Sequence, residues 1–530
     1  MLNVNDYEQD IAASLLDFFD RRTPWQRCLW MVGTVMSLRE TAEGAEALQH
    51  GHLSPAAYGD LCATTERIAG NDPACGDEAQ RRLLQSTLSE KPAAGSVSFN
   101  VLADLTERID NTYLDTWSRL VVDVESRPSS VVAAQYIAAH LLDSGFSKAH
   151  LHEWWRNRVK REAGSRTLSD ILEEAHADIR SGETTHRILV ALGRAPAVSE
   201  APPPNWLSSA DTSQWIRSNG SSTSGLRVAG GMVLEVRARD PISAVDFAME
   251  QIDRTAARVQ LGSRDELKLA ELVFVEGKRE PVRLHPHVRG VEVGSLRREG
   301  RMYVQPNAGA LDAALALVRL LDSGPPASAV AGGWAALEAL LLGPGDSKMR
   351  RVAGDRLATI VACSYPRAEM TMLAYKHSNN AEDTLARAIR VASCNRDRAN
   401  LAAAHVEAMQ PLQLLSRSDK IAETRMRALL VDPKAELRTI ERTANEALRR
   451  LYRHRNVVLH WGRINAVALK ATLRTVAPIV GAGMDRVSHC LLAEQIGPLE
   501  LAARAKIRLD TVGFGSGCSP LELLEGTPTR

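Results

Sequence analysis

The residues best suited to chemistry lie in one run, Arg449-Arg450-Leu451-Tyr452-Arg453-His454-Arg455-Asn456-Val457-Val458-Leu459-His460. Cutting an RNA backbone without a metal calls for three groups. A base takes the proton of the 2′-hydroxyl, an acid protonates the leaving 5′-oxygen, and a cation holds the phosphoryl oxygens. Histidine serves as acid or base near neutral pH. Arginine presents a permanently charged fork that fits a phosphate. Arg455 and His460 supply both kinds of group, and Asn456 can orient one of them. Arg449, Arg450 and Arg463 are the expected RNA contacts around them, with Arg453 in support. Tyr452, one turn before Asn456, either stacks a base or belongs to the core. The plain alternative for the run is a set of arginines favouring a helix dipole from solvent and a histidine that caps the helix end.

These residues need a helix to position them. Leu437, Ile440, Ala444, Leu448 and Leu451 recur at three- and four-residue steps, the spacing of an amphipathic helix. Trp461 and Gly462 follow, and glycine is a common stop. The spacing predicts a helix over 435–460. Asn456 and His460 then share a face, whereas Arg455 and His460 stand about 140° apart on an ideal helix. That separation suits two such helices flanking one groove, each copy lending a histidine to the other. A homodimer is therefore expected.

The run Arg455-Asn456-x-x-x-His460 resembles the R-(N/H)-x-x-x-H signature of HEPN domains. The upstream stretch Gly333-Trp334-Ala335-Ala336-Leu337-Glu338-Ala339-Leu340-Leu341 resembles the opening helix of the Apea-like HEPN branch, and Asp355-Arg356-Leu357-Ala358-Thr359-Ile360-Val361-Ala362-Cys363 also fits it. The resemblance covers roughly residues 308–510 and leaves the first three hundred uncovered. It implies a helical, dimeric, metal-independent endoribonuclease that leaves 2′,3′-cyclic phosphate and 5′-hydroxyl ends and needs no cofactor. It further implies a regulated toxin or antiphage defence effector acting on RNA, with tRNA a candidate substrate. Glu338 is carried over as an acidic residue that orients His460 or pairs with Arg455, or else faces solvent. The competing expectation is a non-catalytic helical dimer that docks nucleic acid or a protein partner.

Composition bounds the rest. The chain has 530 residues, enough for about three domains, and 45% hydrophobic residues support ordinary globular cores. A net charge of +1 argues against a protein that coats polyanions along its whole length. Between residues 436 and 510, however, 13 Lys/Arg stand against 7 Asp/Glu, a balance of +6. Seven cysteines at irregular spacing, with no C-x-x-C pair, indicate neither a zinc site nor a disulfide framework. No signal-peptide pattern or membrane-length apolar run is present, so a cytoplasmic protein is expected.

The expected architecture is mainly α. Residues 1–195 read as a helical N-terminal domain, with helical spacing over 10–19, 25–38 and 101–124. Within it, a helix over 133–142, a turn at 143–146 and a second helix capped by Ser147 outline a helix-turn-helix. DNA contact by residues 147–161 is one reading of that outline. The other is a helical hairpin with Trp154 and Trp155 in its core. Residues 196–225, rich in Pro, Ser, Thr and Gly, read as a linker. Residues 226–307 read as a small α+β domain with strands at 232–238, 269–275, 282–284 and 291–293, and a helix opened by Asp240-Pro241. His285 and His287 in this unit read as loop histidines. Residues 308–510 read as the HEPN-like bundle, with separate helices on either side of Pro366 and either side of residues 481–483. Residues 511–530 read as a tail.

Overall fold

The computed structural model describes residues 6–161, 166–194, 203–222, 227–264, 266–283, 288–304, 309–346, 351–514 and 517–525. Among the described residues the chain is mainly helical, 67% helical in 20 helices, with one small antiparallel sheet of five strands. No described helix is long and apolar enough to cross a membrane.

Two compact units divide the chain, and they do not follow the expected boundaries. The first takes Met1–His140, Arg158–Leu172 and Val288–Arg530; the second takes Leu141–Asn157 and Glu173–His287. The front helices are therefore not a separate domain. Trp30, Ala45, Leu53, Tyr58, Leu61 and Cys62 share one buried cluster with Trp334, Leu337, Leu357, Leu448 and Leu451. Buried charge reinforces the union. Arg27 donates to Glu369 at 2.8 Å and to Asp419 at 2.7 Å, more than three hundred residues away. The expected tail is also part of this core, because Leu521, Leu523 and Leu524 are buried in it.

Several helices differ from their expected extents for identifiable reasons. Val352–Asn380 runs unbroken through Pro366, and Leu469–Ala493 runs unbroken through Pro478 and through residues 481–483, where a break was expected. Each proline removes one backbone donor. Both lie among buried neighbours whose packing holds the helix on either side. In the front segment, Trp25–Arg27 forms a single 3₁₀ turn and the α-helix begins only at Thr34. After Val352–Asn380 come two short helices, Thr384–Val391 and Asn395–Glu407, and Arg417–Val431 is a further helix that the apolar spacing did not reveal.

The second unit is built on strands β1 (Thr184–Leu192), β2 (Trp206–Leu207), β3 (Gly230–Ala238), β4 (Leu269–Val275) and β5 (Val282–Arg283), in the order β2-β3-β1-β4-β5. All neighbours are antiparallel, with Ile188 opposite Leu234 on one side and Val275 on the other. β1 falls where helix was expected. Its run Ile-Leu-Val-Ala-Leu is buried on both faces, so it lacks the alternation that marks a half-exposed strand. One face packs on the helix Pro241–Ser263 and the other on Ser209–Ser218. The expected linker therefore contains β2 and a helix, while residues 196–202 and 223–225 lie outside the described residues. Residues 291–293 form no strand. His285 and His287 also lie outside the described residues.

Asp240 ties this unit together. Its carboxylate accepts the backbone N–H groups of Ile242 and Ser243, both at 2.9 Å, which caps one helix. It also accepts Ser147 N–H at 2.7 Å and Ser147 Oγ–H at 2.9 Å. Ser147 in turn caps the helix Lys148–Arg161 through His150 N–H. The two expected helices are Ser130–Asp143 and Lys148–Arg161, with Trp155 sealed in the interior and Trp154 half-buried. Close approach fixes Gly231, where a Cβ would stand 2.8 Å from Leu189 Cδ1 and 2.9 Å from Thr212 Oγ1.

Because the C-terminal segment packs as core, Leu523→Ala should lower stability by about 2–5 kcal/mol, the usual cost of truncating a buried leucine. Urea denaturation checks this. An unchanged midpoint would restore the segment to a free tail.

Candidate active site

The long helix Pro433–Trp461 carries the site. Asp432 caps its start through Ala435 N–H at 3.1 Å, and Pro433 occupies the first turn, where its missing donor costs nothing. Leu437, Ala444, Leu448 and Leu451 are fully buried, so the apolar stripe faces the core as the spacing predicts. Gly462 ends the helix at φ 68°, a left-handed conformation that suits glycine.

That end holds Arg455, Asn456 and His460. Arg455 Nη1 donates to Asn456 Oδ1 at 3.0 Å and faces His460 Nε2 at 3.4 Å. The arginine is long enough to bridge the angular gap that an ideal helix imposes, so the two groups meet within one chain. A guanidinium only donates. Nε2 can therefore take part in this contact only as an acceptor. At 3.4 Å the contact is long for a hydrogen bond, leaving room for a substrate oxygen to replace it. His460 is exposed, and Arg455 and Asn456 are half-buried. Among the described residues Arg455 forms no ion pair with a carboxylate. Its polar partners are an amide and an imidazole.

The neighbouring cations are placed differently. Arg450 is 2% exposed, and its Nε donates to Glu40 Oε2 at 2.7 Å. Arg453, also buried, donates to Glu40 Oε1 at 3.0 Å. Neither can serve as the RNA contact or supporting group expected of it. Arg449 lies 3.4 Å from Asp355 and 3.9 Å from Asp60. Arg463 lies 3.0 Å from Glu46 and 3.3 Å from Glu43, with its guanidinium 4.6 Å from the Trp461 ring. Both remain partly exposed, but their charge is matched by carboxylates. Tyr452 packs on Trp334 with ring centroids 4.9 Å apart, as core. Glu338 accepts the Trp334 indole N–H at 2.9 Å, a role different from the expected pairing with Arg455 or His460.

Glu40 belongs to the helix Thr34–Gln49 and is sealed against the long helix. Burial alone would raise its carboxyl, but Arg450, Arg453 and His454 override that and hold it at about 2. His454 lies 3.7 Å from Glu40 and has neither ring nitrogen hydrogen-bonded. Burial pushes its ring down to about 4, against the pull of Glu40. The sequence contains a signal for this arrangement. Glu40 and Glu43 stand three residues apart on a helix whose residues are mostly buried, and buried acids require cationic partners.

Comparison with protein-family models, with curated proteins and with solved structures found no match to this chain. The geometry of the helix end and its surroundings therefore carries the functional reading by itself.

Two outcomes follow from the Glu40 cluster. Glu40→Gln leaves two guanidinium groups buried without a counter-charge and should cost about 3–5 kcal/mol, read by chemical denaturation. The second concerns pH. The unfolded His454 ring binds a proton near pH 6.5 and the folded ring only near 4. Stability is therefore lost as pH falls through that window. Glu40, unfolded at 4.5 and folded at about 2, adds a further loss below about pH 4.5. Asp72 opposes these, since burial raises its carboxyl to about 6, so its stabilisation is largest at low pH and fades as pH rises through 6. Comparison with a variant isolates the histidine. His454→Leu should gain on wild type by a few kcal/mol between pH 6.5 and 4. Parallel thermal-melt profiles for the two proteins would contradict this.

Proposed function

We propose that this chain is a metal-independent endoribonuclease whose reactive groups are Arg455, Asn456 and His460. The observation that carries the reading is the pairing of Arg455 with His460 at an exposed helix end. In a stretch where Arg449, Arg450, Arg453 and Arg463 each face a carboxylate, Arg455 faces an amide and an imidazole. A scissile phosphate supplies the anion that no described residue gives this guanidinium.

In the proposed reaction His460 takes the proton from a 2′-hydroxyl through Nε2. The 2′-oxygen attacks phosphorus while Arg455 holds the non-bridging oxygens, and Asn456 fixes the guanidinium. The bond to the 5′-oxygen breaks, and a second imidazole protonates that oxygen. The products are a 2′,3′-cyclic phosphate and a 5′-hydroxyl. One histidine cannot hold both proton roles in one step, so the second imidazole is assigned to His460 of a second copy in a homodimer. Leu459, Ile464 and Val467 are exposed apolar residues around His460, which suits such an interface.

The resemblance to Apea-like HEPN domains extends the proposal to a regulated toxin or antiphage effector in the cytoplasm, with tRNA as the first substrate to try. The front helices are built into the same core as the site, so a regulatory role falls to the α+β unit. A non-catalytic nucleic-acid or partner-binding protein is the second reading. Its protein-partner form is favoured by the matched charge on Arg449 and Arg463, which leaves little surplus positive potential for RNA.

Incubating the protein with tRNA in EDTA, beside His460→Ala and Arg455→Ala, tests this. Cleavage should fall by about a hundredfold or more in each variant. Equal cleavage by all three proteins, or none by wild type, turns the assignment to the binding protein.

A further inference from the structure

Next to the proposed site lies a set of planar side chains that the reaction does not use. Trp461 follows His460 directly and is the last residue of the long helix. The His52 ring stacks on it at 5.5 Å with an interplanar angle of 19°, and the His50 ring lies 5.8 Å away at 37°. The two imidazoles are 6.5 Å apart. His50 is exposed, and His52 and Trp461 are half-buried. The chain builds this deliberately: Gly51, at φ 73°, turns the end of the Thr34–Gln49 helix back on itself, and His52 N–H donates to Ala47 O at 2.8 Å. Leu53 is then buried as the anchor. Two helix ends, each stopped by a left-handed glycine, thus bring their aromatic residues together.

We infer that His50, His52 and Trp461 form a base-binding subsite that takes an unpaired RNA base flanking the scissile phosphate. This rests on the ribonuclease reading. Three features select that ligand. His52 stacks on Trp461 while the His50 ring is tilted beside both, a set of planar faces onto which another planar ring can stack. Arg463, the nearest cation, is held by Glu43 and Glu46, so the patch attracts a π-face better than a phosphate. The subsite is one residue from His460, so consecutive nucleotides of one strand span both. A duplex keeps its bases stacked inside and cannot engage such a surface, so the substrate class is single-stranded or looped RNA.

The test uses the full chain and a fluorescein-labelled RNA whose 2′-oxygens are methylated, so that it binds without reacting. Anisotropy titrations in EDTA compare the single strand with its duplex for wild type, His50→Ala/His52→Ala and His50→Phe/His52→Phe, with thermal melts as a check on folding. Wild type should prefer the single strand. The alanine pair should weaken it tenfold or more, and the phenylalanine pair should recover most of the loss by restoring planar faces. Equal affinity of wild type and the alanine pair, no preference over duplex, no binding by wild type, or no recovery with phenylalanine would each overturn the subsite. Cleavage of unmodified RNA is scored separately. A chain that binds as expected but does not cleave retains the subsite and loses the ribonuclease.

Discussion

The structure depends on one buried carboxylate. Glu40 sits between Arg450 and Arg453, with His454 close by, in a place that water does not reach. Charges in such a place are tolerated only when their partners are in position. The contact therefore fixes the rotation and the axial position of the long helix against the front of the chain. The rotation decides which side of the helix end faces outward, and hence that Arg455 and His460 are presented together. Arg449, Arg450, Arg453 and Arg463 meet carboxylates, whereas the described partners of Arg455 are an amide and an imidazole.

Viewed this way, the basic run is a graded series and not a uniform patch. Its members are the same residue type within fifteen positions, yet burial and neighbours give them separate tasks. Arg450 and Arg453 hold the fold, Arg449 and Arg463 join helices at the surface, and Arg455 faces outward. Adding up charge along the segment treats them alike and overstates the electrostatic attraction for a polyanion.

Much of the local structure was legible in the residues. The apolar stripe of the long helix, its glycine stop, the capping Ser147, the Asp240-Pro241 helix start and the strands holding Val236 and Val273 all follow from short-range spacing and capping chemistry. What escaped was long-range or ambiguous at short range. The Glu40–Arg450 contact joins residues 410 positions apart, and nothing within one sequence pairs them. The Ile188–Leu192 segment is apolar on both faces, so strand and buried helix read alike. Breaks are expected at Pro366 and at Gly481-Ala482-Gly483, and the tertiary packing that overrides both is invisible locally. At the site, the pairing of Arg455 with His460 was obscured by treating the helix as a cylinder of short side chains. The arginine's reach closes the angle.

The order in which the two units alternate along the chain has a mechanical consequence. The backbone passes between them near residues 140, 157, 172 and 287, four times in all. Severing the backbone at any one of these crossings leaves three covalent links, so a single proteolytic nick cannot free the smaller unit from the larger.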